Sequence, residues 1–210
     1  MGKRVDASEE QVRKLLRDLE VAASQSARDE DLIAILEHLL GAAQEGSEVS
    51  HYARLKLAEL LVSRRPWRAA RLARQVALGT GSALAWALLG LAHTVLGHHR
   101  AAVSAYRQAQ RQSPNDPWIA HNLGHLMDVS LDRPQDAMGL LHRAYRALPE
   151  EREIASSFAH ALLRAGLQAR AEEILREALG DEAPYWMQRW TEESSSPPSP
   201  VEGDRTHRRR

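Results

Sequence analysis

Three histidines and one aspartate have the residue types and spacing that could hold a metal ion. His121 and His125 are four positions apart, so they share one face of a helix, and Asp128 follows about one turn later. Together with His160, these side chains offer the nitrogen and oxygen ligands of a zinc site. However, Asn122 stands where the metalloprotease motif has the glutamate that acts as general base. The sequence therefore favours histidines that line a binding surface over a zinc site.

Other catalytic chemistry lacks the residues that it needs. The chain has no cysteine, which excludes thiol nucleophiles, disulfides and cysteine-ligated metals. The sequence contains neither a phosphate-binding glycine loop nor a serine nucleophile elbow. We therefore expect a protein that is not an enzyme and that needs no cofactor.

Arginines on one predicted helix suggest a different chemistry, which is phosphate binding by a basic stripe. They are Arg64, Arg65, Arg68, Arg71 and Arg74, and the pairs Arg107 with Arg111 and Arg143 with Arg146 follow on later helices. The aromatic residues that would stack on bases are expected on the opposite face, and a solvated helix face also explains arginines. Nucleic-acid binding by these arginines, on the outer (convex) side of the predicted fold, is therefore the less favoured alternative.

Composition and the N-terminal sequence predict a cytoplasmic protein. The 210 residues are 43% hydrophobic and 27% charged with a formal net charge of zero, so no overall field attracts nucleic acid or anionic lipid. The charged start of the chain does not resemble a signal peptide, and no apolar run reaches the ~18 residues that span a bilayer. The absence of cysteine also suits a reducing compartment.

The segments that carry these residues have the apolar spacing of helices, separated by short turns. The turns fall at Pro66, Gly97, Pro114, Pro134 and Gly166. Residues 1–46 form a pair of predicted helices, either a cap or a degenerate repeat. Residues 194–210 are rich in Ser, Pro and Arg and are expected to be a disordered tail.

Residues 83–116 carry the clearest pattern, a set of small and large apolar residues at fixed spacing. The set is Trp86, Leu89, Gly90, His93, Ala102, Tyr106, Ala109 and Pro114. It resembles the tetratricopeptide repeat (TPR), in which small residues lie where the two helices of a hairpin cross closely. The pattern recurs in 117–151, with one extra residue in the turn before Pro134, and in 152–185. A weaker copy in 51–82 is two residues short and aligns through Leu57, Ala58, Leu61, Ala70 and Ala77.

This resemblance implies an all-α fold, a right-handed α-solenoid of antiparallel helix hairpins with about 10–11 helices. The solenoid is expected to span residues 47–193. A short capping helix at 184–193 would cover its last repeat with Trp186 and Trp190, which share one helix face.

The resemblance also implies a binding surface, because in such arrays the first helix of each hairpin lines the concave side. On each first helix, the side chains that point away from its buried side are predicted to line this groove, and there are sixteen of them. They are Tyr52, Leu55, Glu59, Val62, Leu84, Ala87, Leu91, Thr94, Trp118, His121, His125, Asp128, Glu153, Ser156, His160 and Leu163. Since they include three carboxylates and no Lys or Arg, we expect an apolar, neutral-to-basic partner segment.

The implied function is a non-catalytic protein-interaction module, a scaffold or adaptor that binds another polypeptide in this groove. The family's clamp for acidic C-terminal tails is not expected, since Asn122 fits one clamp position but Ala87, Leu91, Glu153 and Ser157 occupy others. A secretion-type chaperone that holds a client protein is the alternative, because such chaperones also resemble three repeats behind extra N-terminal helices. Self-association stays open, and membrane insertion is not expected.

Overall fold

The computed structural model describes residues 7–195, and every regular element in this range is a helix. This part of the chain forms α1 (Ala7–Ser24), α2 (Asp29–Ala42), α3 (Glu48–Leu61), α4 (Pro66–Thr80), α5 (Ala83–Val95), α6 (His99–Gln112), α7 (Pro117–His125), α8 (Pro134–Ala147), α9 (Arg152–Arg164), α10 (Gln168–Leu179) and α11 (Ala183–Ser195). The predicted all-α solenoid is confirmed. The predicted tail, apart from its first two residues, lies outside the described residues.

Consecutive helices form hairpins, and the hairpins stack. Each helix packs on the next one along the chain, and the first helices of neighbouring hairpins also touch, as α3 touches α5 and α7 touches α9. Leu19 and Leu36 of the first hairpin belong to the same buried cluster as Leu57 and Leu89. The α1–α2 pair is therefore continuous with the core of the stack.

Glycines let the two helices of a hairpin approach closely at two crossings. A Cβ atom added to Gly90 would lie 2.8 Å from the ring of Tyr106, and one added to Gly124 would lie 2.8 Å from Cγ of Leu141. Both distances are far below ordinary van der Waals contact, so neither crossing has room for a side chain. The repeat pattern predicted this role for Gly90, and Gly124 holds the equivalent position in the 117–151 repeat.

The extra residue of the 117–151 repeat lies within the first helix, whereas the sequence placed it in the turn before Pro134. The chain continues from α7 as a π-helical turn, Leu126–Ser130. There the Leu131 N–H donates to the Leu126 carbonyl, five residues earlier, at 3.1 Å. Because a π turn holds one more residue than an α turn, it rotates every side chain that follows it.

The weaker repeat has a different register in its second helix from the predicted one. The buried residues of α4 that correspond to Ala102, Tyr106 and Ala109 are Ala69, Ala73 and Val76, each 33 positions earlier. The sequence pattern paired Ala70 and Ala77 with Ala102 and Ala109, which lie 32 positions later. That spacing between equivalent residues holds for α3 but not for α4. One missing residue therefore falls in the turn between α3 and α4, where sequence spacing alone does not locate it.

Helix α11 packs on the end of the stack. Met187 is 8% exposed within the core cluster, and Trp190 packs against that cluster. The rings of Trp186 and Trp190 are 5.8 Å apart, and Trp190 meets the His160 ring edge-on at 5.2 Å. None of the described helices is both long and apolar enough to cross a membrane.

Candidate functional site

A cleft of about 330 Å³ opens between α5 and α7, the first helices of two successive hairpins. We refer to it as the α5–α7 cleft. Its walls are Ala83, Leu84, Ala87, Leu88, Leu91, Ser113, Asp116, Trp118, Ile119 and Asn122. Four of the sixteen predicted groove residues come together here, namely Leu84, Ala87, Leu91 and Trp118, and Asn122, the predicted clamp-position residue of the same groove, joins them.

The start of α7 sets the position of Trp118 at the mouth of this cleft. Asp116 caps the helix, and its Oδ1 accepts hydrogen bonds from the backbone N–H groups of Trp118 at 2.9 Å and Ile119 at 3.1 Å. Pro117 occupies the first helical turn, where its missing N–H removes no helical hydrogen bond. The Trp118 ring then meets the His121 ring edge-on at 5.8 Å. The tryptophan is held in place by local structure without being buried.

Two large apolar side chains on the cleft walls remain open to solvent. Leu84 of α5 is 58% exposed, and Trp118 of α7 is 39% exposed. Between them lie the half-buried Leu88 and Leu91, so the floor of the cleft is also apolar. The structure gives these residues no covering element among the described helices. Such a surface can bury apolar groups of another molecule.

Two of the predicted groove residues are instead buried, and for these the expectation was wrong. His121 and Asp128 are each only 1% exposed. His121 faces α9, where its Nε2 lies 2.9 Å from Oγ of Ser157. Asp128 lies in the π turn, which rotates it from the position that α-helical spacing predicts. Both side chains join neighbouring hairpins.

The buried carboxylate of Asp128 holds two cationic or ionisable groups of α9. Its Oδ2 accepts a hydrogen bond from Nδ1 of His160 at 2.6 Å, and its Oδ1 pairs with Nη1 of Arg164 at 2.8 Å. Arg164 also pairs with Asp132 just after the π turn. This region therefore contains an arginine, contrary to the expectation of a surface without Lys or Arg.

The histidines of this network are engaged with protein groups. Ser157 Oγ also lies 3.2 Å from Nδ1 of the exposed His125, whose ring stacks on His121 at 5.9 Å. Burial, with a smaller effect from His125, lowers the pKa of His121 to about 4. Burial of part of its ring also lowers the pKa of His125. Within residues 7–195 no group of three or more potential ligands is arranged to hold a metal ion.

The remaining predicted groove residues lie away from the α5–α7 cleft. Tyr52, which is 43% exposed, borders another cleft of about 380 Å³ between α1 and α3. Glu59 pairs with Lys56 at 3.0 Å, and Thr94 donates its hydroxyl hydrogen to the Gly90 carbonyl at 3.0 Å. Others on these first helices are Leu55, Val62, Glu153, Ser156 and Leu163, of which Glu153 is exposed and the rest are half-buried.

The sequence interpretation missed the most exposed large apolar residues of the described chain, Trp67 and Leu78 of α4. They stand on the same face as Arg71 and Arg74, so the expectation that aromatic residues avoid the arginine face was wrong. The signal was available, because Trp67, Arg71, Arg74 and Leu78 follow helical spacing. It was overlooked because the repeat pattern assigned tryptophan only to the first helices.

Comparison with known proteins shows the fold but no close relative. No protein-family model and no curated sequence matches the chain. Among solved structures, MamA residues 41 to the end from Desulfovibrio magneticus RS-1 is similar with a TM-score of 0.66 and 12% identity, over 90% of this chain and 100% of that one. A thermophilic TPR protein of Thermus thermophilus is similar with a TM-score of 0.63 and 17% identity, over 89% and 98%. Another MamA structure is similar with a TM-score of 0.63 and 17% identity, over 91% and 99%.

Proposed function

Given a TPR-type solenoid, we propose that this chain is a non-catalytic protein-interaction module whose α5–α7 cleft holds an apolar segment of a partner polypeptide. The observation that carries the proposal is the pair Leu84 and Trp118, which are 58% and 39% exposed on opposite walls of one cleft. A soluble surface rarely leaves large apolar side chains together in a concavity unless something binds there. Apolar side chains of the partner would pack against Leu84 and Trp118, which would be the anchors of the interface.

The polar groups of the cleft favour apolar side chains on the partner. Asp116 already accepts two backbone hydrogen bonds, so its carboxylate is largely satisfied by the helix that it caps. The half-buried Asn122 amide carries both donors and an acceptor, which suit the backbone of an extended segment. An acidic side chain would lose hydration in this cleft without gaining a counter-ion.

The partner's charge is less restricted than the sequence suggested. Of the three carboxylates expected in the groove, Asp128 is buried against Arg164, and Glu59 pairs with Lys56. Glu153 is exposed, and the described residues offer it no ion pair. We therefore propose an apolar segment for the cleft itself, with a basic residue favoured only where the segment passes Glu153.

A secretion-type chaperone is the second form of this proposal, and the cleft between α1 and α3 favours it. That cleft is lined by Leu16, Leu19 and Val49 with Tyr52 at its edge. A client held along the solenoid would contact it as well as the α5–α7 cleft, whereas a scaffold partner needs only the latter. In either form we place the protein in the cytoplasm, as its cysteine-free sequence suggests.

Affinity capture with matched variants tests the proposal. The baits are the wild-type protein, the double variant Leu84→Ser/Trp118→Ala, and Tyr185→Ala as the control for losing an exposed aromatic side chain outside both clefts. Quantitative mass spectrometry of proteins captured from the native host should show one that wild type and Tyr185→Ala retain and the double variant loses. If no captured protein depends on Leu84 and Trp118, the α5–α7 cleft is not the binding site.

A further inference from the structure

A second cleft, of about 520 Å³, opens on helix α4 and shares no residue with the α5–α7 cleft. We refer to it as the α4 cleft. Its walls are Trp67, Ala70, Arg71, Arg74, Gln75 and Leu78 of α4 with Leu89 and His93 of α5. The floor is formed by Leu89, which is 5% exposed, and by the half-buried His93.

The exposed residues of this cleft form one linear stripe. Trp67, Arg71, Arg74 and Leu78 lie on a single face of α4, because they follow one another by four, three and four positions. Trp67 is 65% and Leu78 is 64% exposed, at the two ends of a face about 16 Å long. Two apolar anchors therefore flank two guanidinium groups, over a length that matches about three turns of a bound helix.

Arg71 and Arg74 have no counter-ion within the described residues, as is also true of Arg65, whereas three other arginines nearby are paired. Arg54 pairs with Glu45, Arg64 with Glu30, and Arg68 with Glu37. In contrast, no described carboxylate lies within 4.0 Å of Arg71 or Arg74, although the chain holds as many acidic as basic residues. The Trp67 ring is meanwhile held edge-on by the His98 ring, at 5.0 Å between centroids. Unpaired positive charge and a fixed aromatic ring thus occur together in an open cleft.

We infer that the α4 cleft binds an acidic amphipathic segment of a partner protein, with carboxylates in the middle of its bound face and apolar residues at both ends. Carboxylates match the guanidinium groups of Arg71 and Arg74 in charge and in bidentate geometry. Apolar residues at the ends bury against Trp67 and Leu78. A single nucleic-acid strand fits less well, because Trp67 is the one tryptophan of the stripe and Leu78 offers nothing to a phosphate. This site is independent of the one proposed for the α5–α7 cleft.

Fluorescence anisotropy with a designed peptide tests the inference. The probe is a fluorescein-labelled helical peptide of ~15 residues that carries Leu, Glu, Glu and Leu at the spacing of Trp67, Arg71, Arg74 and Leu78. The controls are a scrambled peptide of the same composition and a labelled oligo-dT of similar length. The designed peptide should bind at least about tenfold more tightly than either control, and its binding should weaken as salt is added.

Matched variants locate the probe on the protein. Trp67→Ala and the pair Arg71→Gln/Arg74→Gln should each weaken its binding at least about tenfold, as for loss of interface anchors. Arg107→Gln/Arg111→Gln on the next outer helix, and Trp118→Ala in the α5–α7 cleft, should leave it within about twofold. All four changes fall on exposed side chains, and circular dichroism confirms that each variant is folded.

Four results would overturn the inference. The acidic peptide could fail to bind at ~1 mM, it could bind equally well to the Trp67 and Arg71/Arg74 variants, or the oligonucleotide could bind more tightly than the peptide. A probe that is lost with Trp118→Ala but retained by Trp67→Ala would move it to the α5–α7 cleft. That last outcome would leave the proposed function intact while excluding the α4 cleft as the site that binds the acidic segment.

Discussion

Asp128 accepts a hydrogen bond from Nδ1 of His160 across 2.6 Å, and this contact joins the π turn of one hairpin to the first helix of the next. The carboxylate is 1% exposed and also holds Arg164. Few groups in the described chain connect two hairpins through a buried charge. The stack should therefore depend on Asp128 more than on any exposed ion pair.

Asp128→Asn should lower the free energy of unfolding by about 3 kcal/mol, because it removes the buried charge of the pair and leaves Arg164 with only the exposed Asp132 as counter-ion. Asp132→Asn is the matched control, since the Asp132 side chain is 85% exposed although it pairs with the same arginine. That change should cost less than about 1 kcal/mol. Urea unfolding followed by circular dichroism measures both. Equal effects of the two substitutions would show that burial of Asp128 contributes nothing.

Acid should destabilise the protein through His121. Its pKa is about 4 in the folded protein and near the ordinary value of about 6.5 when unfolded. Because the folded-state pKa is the lower one, the contribution is fully present above about pH 6.5 and is lost as the pH falls toward 4. Between pH 7 and pH 5 the loss amounts to about 2 kcal/mol.

The variant His121→Gln isolates this effect from other titrating groups. It should be less stable at pH 7, because it disturbs the contact with Ser157, but its stability should change less between pH 7 and pH 5 than that of the wild type. His38→Gln, on the exposed face of α2, is the matched control for the loss of one histidine. Parallel pH dependence of His121→Gln and wild type in urea titrations would rule out His121 as the responsible group.

Bulk at the α5–α6 crossing should damage folding itself. Gly90→Leu forces a side chain against the ring of Tyr106, which a Cβ atom alone would approach to 2.8 Å, so we expect a loss of about 3 kcal/mol or more. Gly139→Ala on α8 is the control, since nothing lies within 4 Å of its added Cβ, and it should stabilise by about 0.5–1 kcal/mol. Thermal unfolding distinguishes them, and a Gly90→Leu protein as stable as wild type would contradict the close crossing.

The repeat pattern was enough to predict this crossing, because its residues are close in sequence and the hairpin fixes their geometry. Gly90 and Tyr106 belong to two consecutive helices, and the small residue and its large partner recur at the same spacing in Gly124 and Leu141. The same local reasoning brought Leu84 and Trp118 to one cleft. Spacing along one helix therefore suffices where neighbouring helices are regular.

The pattern failed where the chain departs from regular α-helix or where burial depends on a later hairpin. Asp128 was misplaced because the extra residue enters as a π turn, and no residue type in that stretch announces such a turn. His121 was misplaced because Ser157 of α9 covers it, 36 residues further along. Trp67 was missed for another reason, because the repeat pattern assigned tryptophan only to the first helices, although its helical spacing with Arg71 and Leu78 was visible in the sequence.

The affinity of the captured partner's segment tests the central claim most directly. Isothermal titration calorimetry compares the affinity of wild type with those of Trp118→Ala and Trp67→Ala. Both substitutions change only exposed side chains. We predict that Trp118→Ala weakens binding by about 2–4 kcal/mol, or roughly 30- to 1,000-fold, while Trp67→Ala binds within about twofold of wild type. Unchanged affinity for Trp118→Ala would contradict the assignment of the α5–α7 cleft as the binding site.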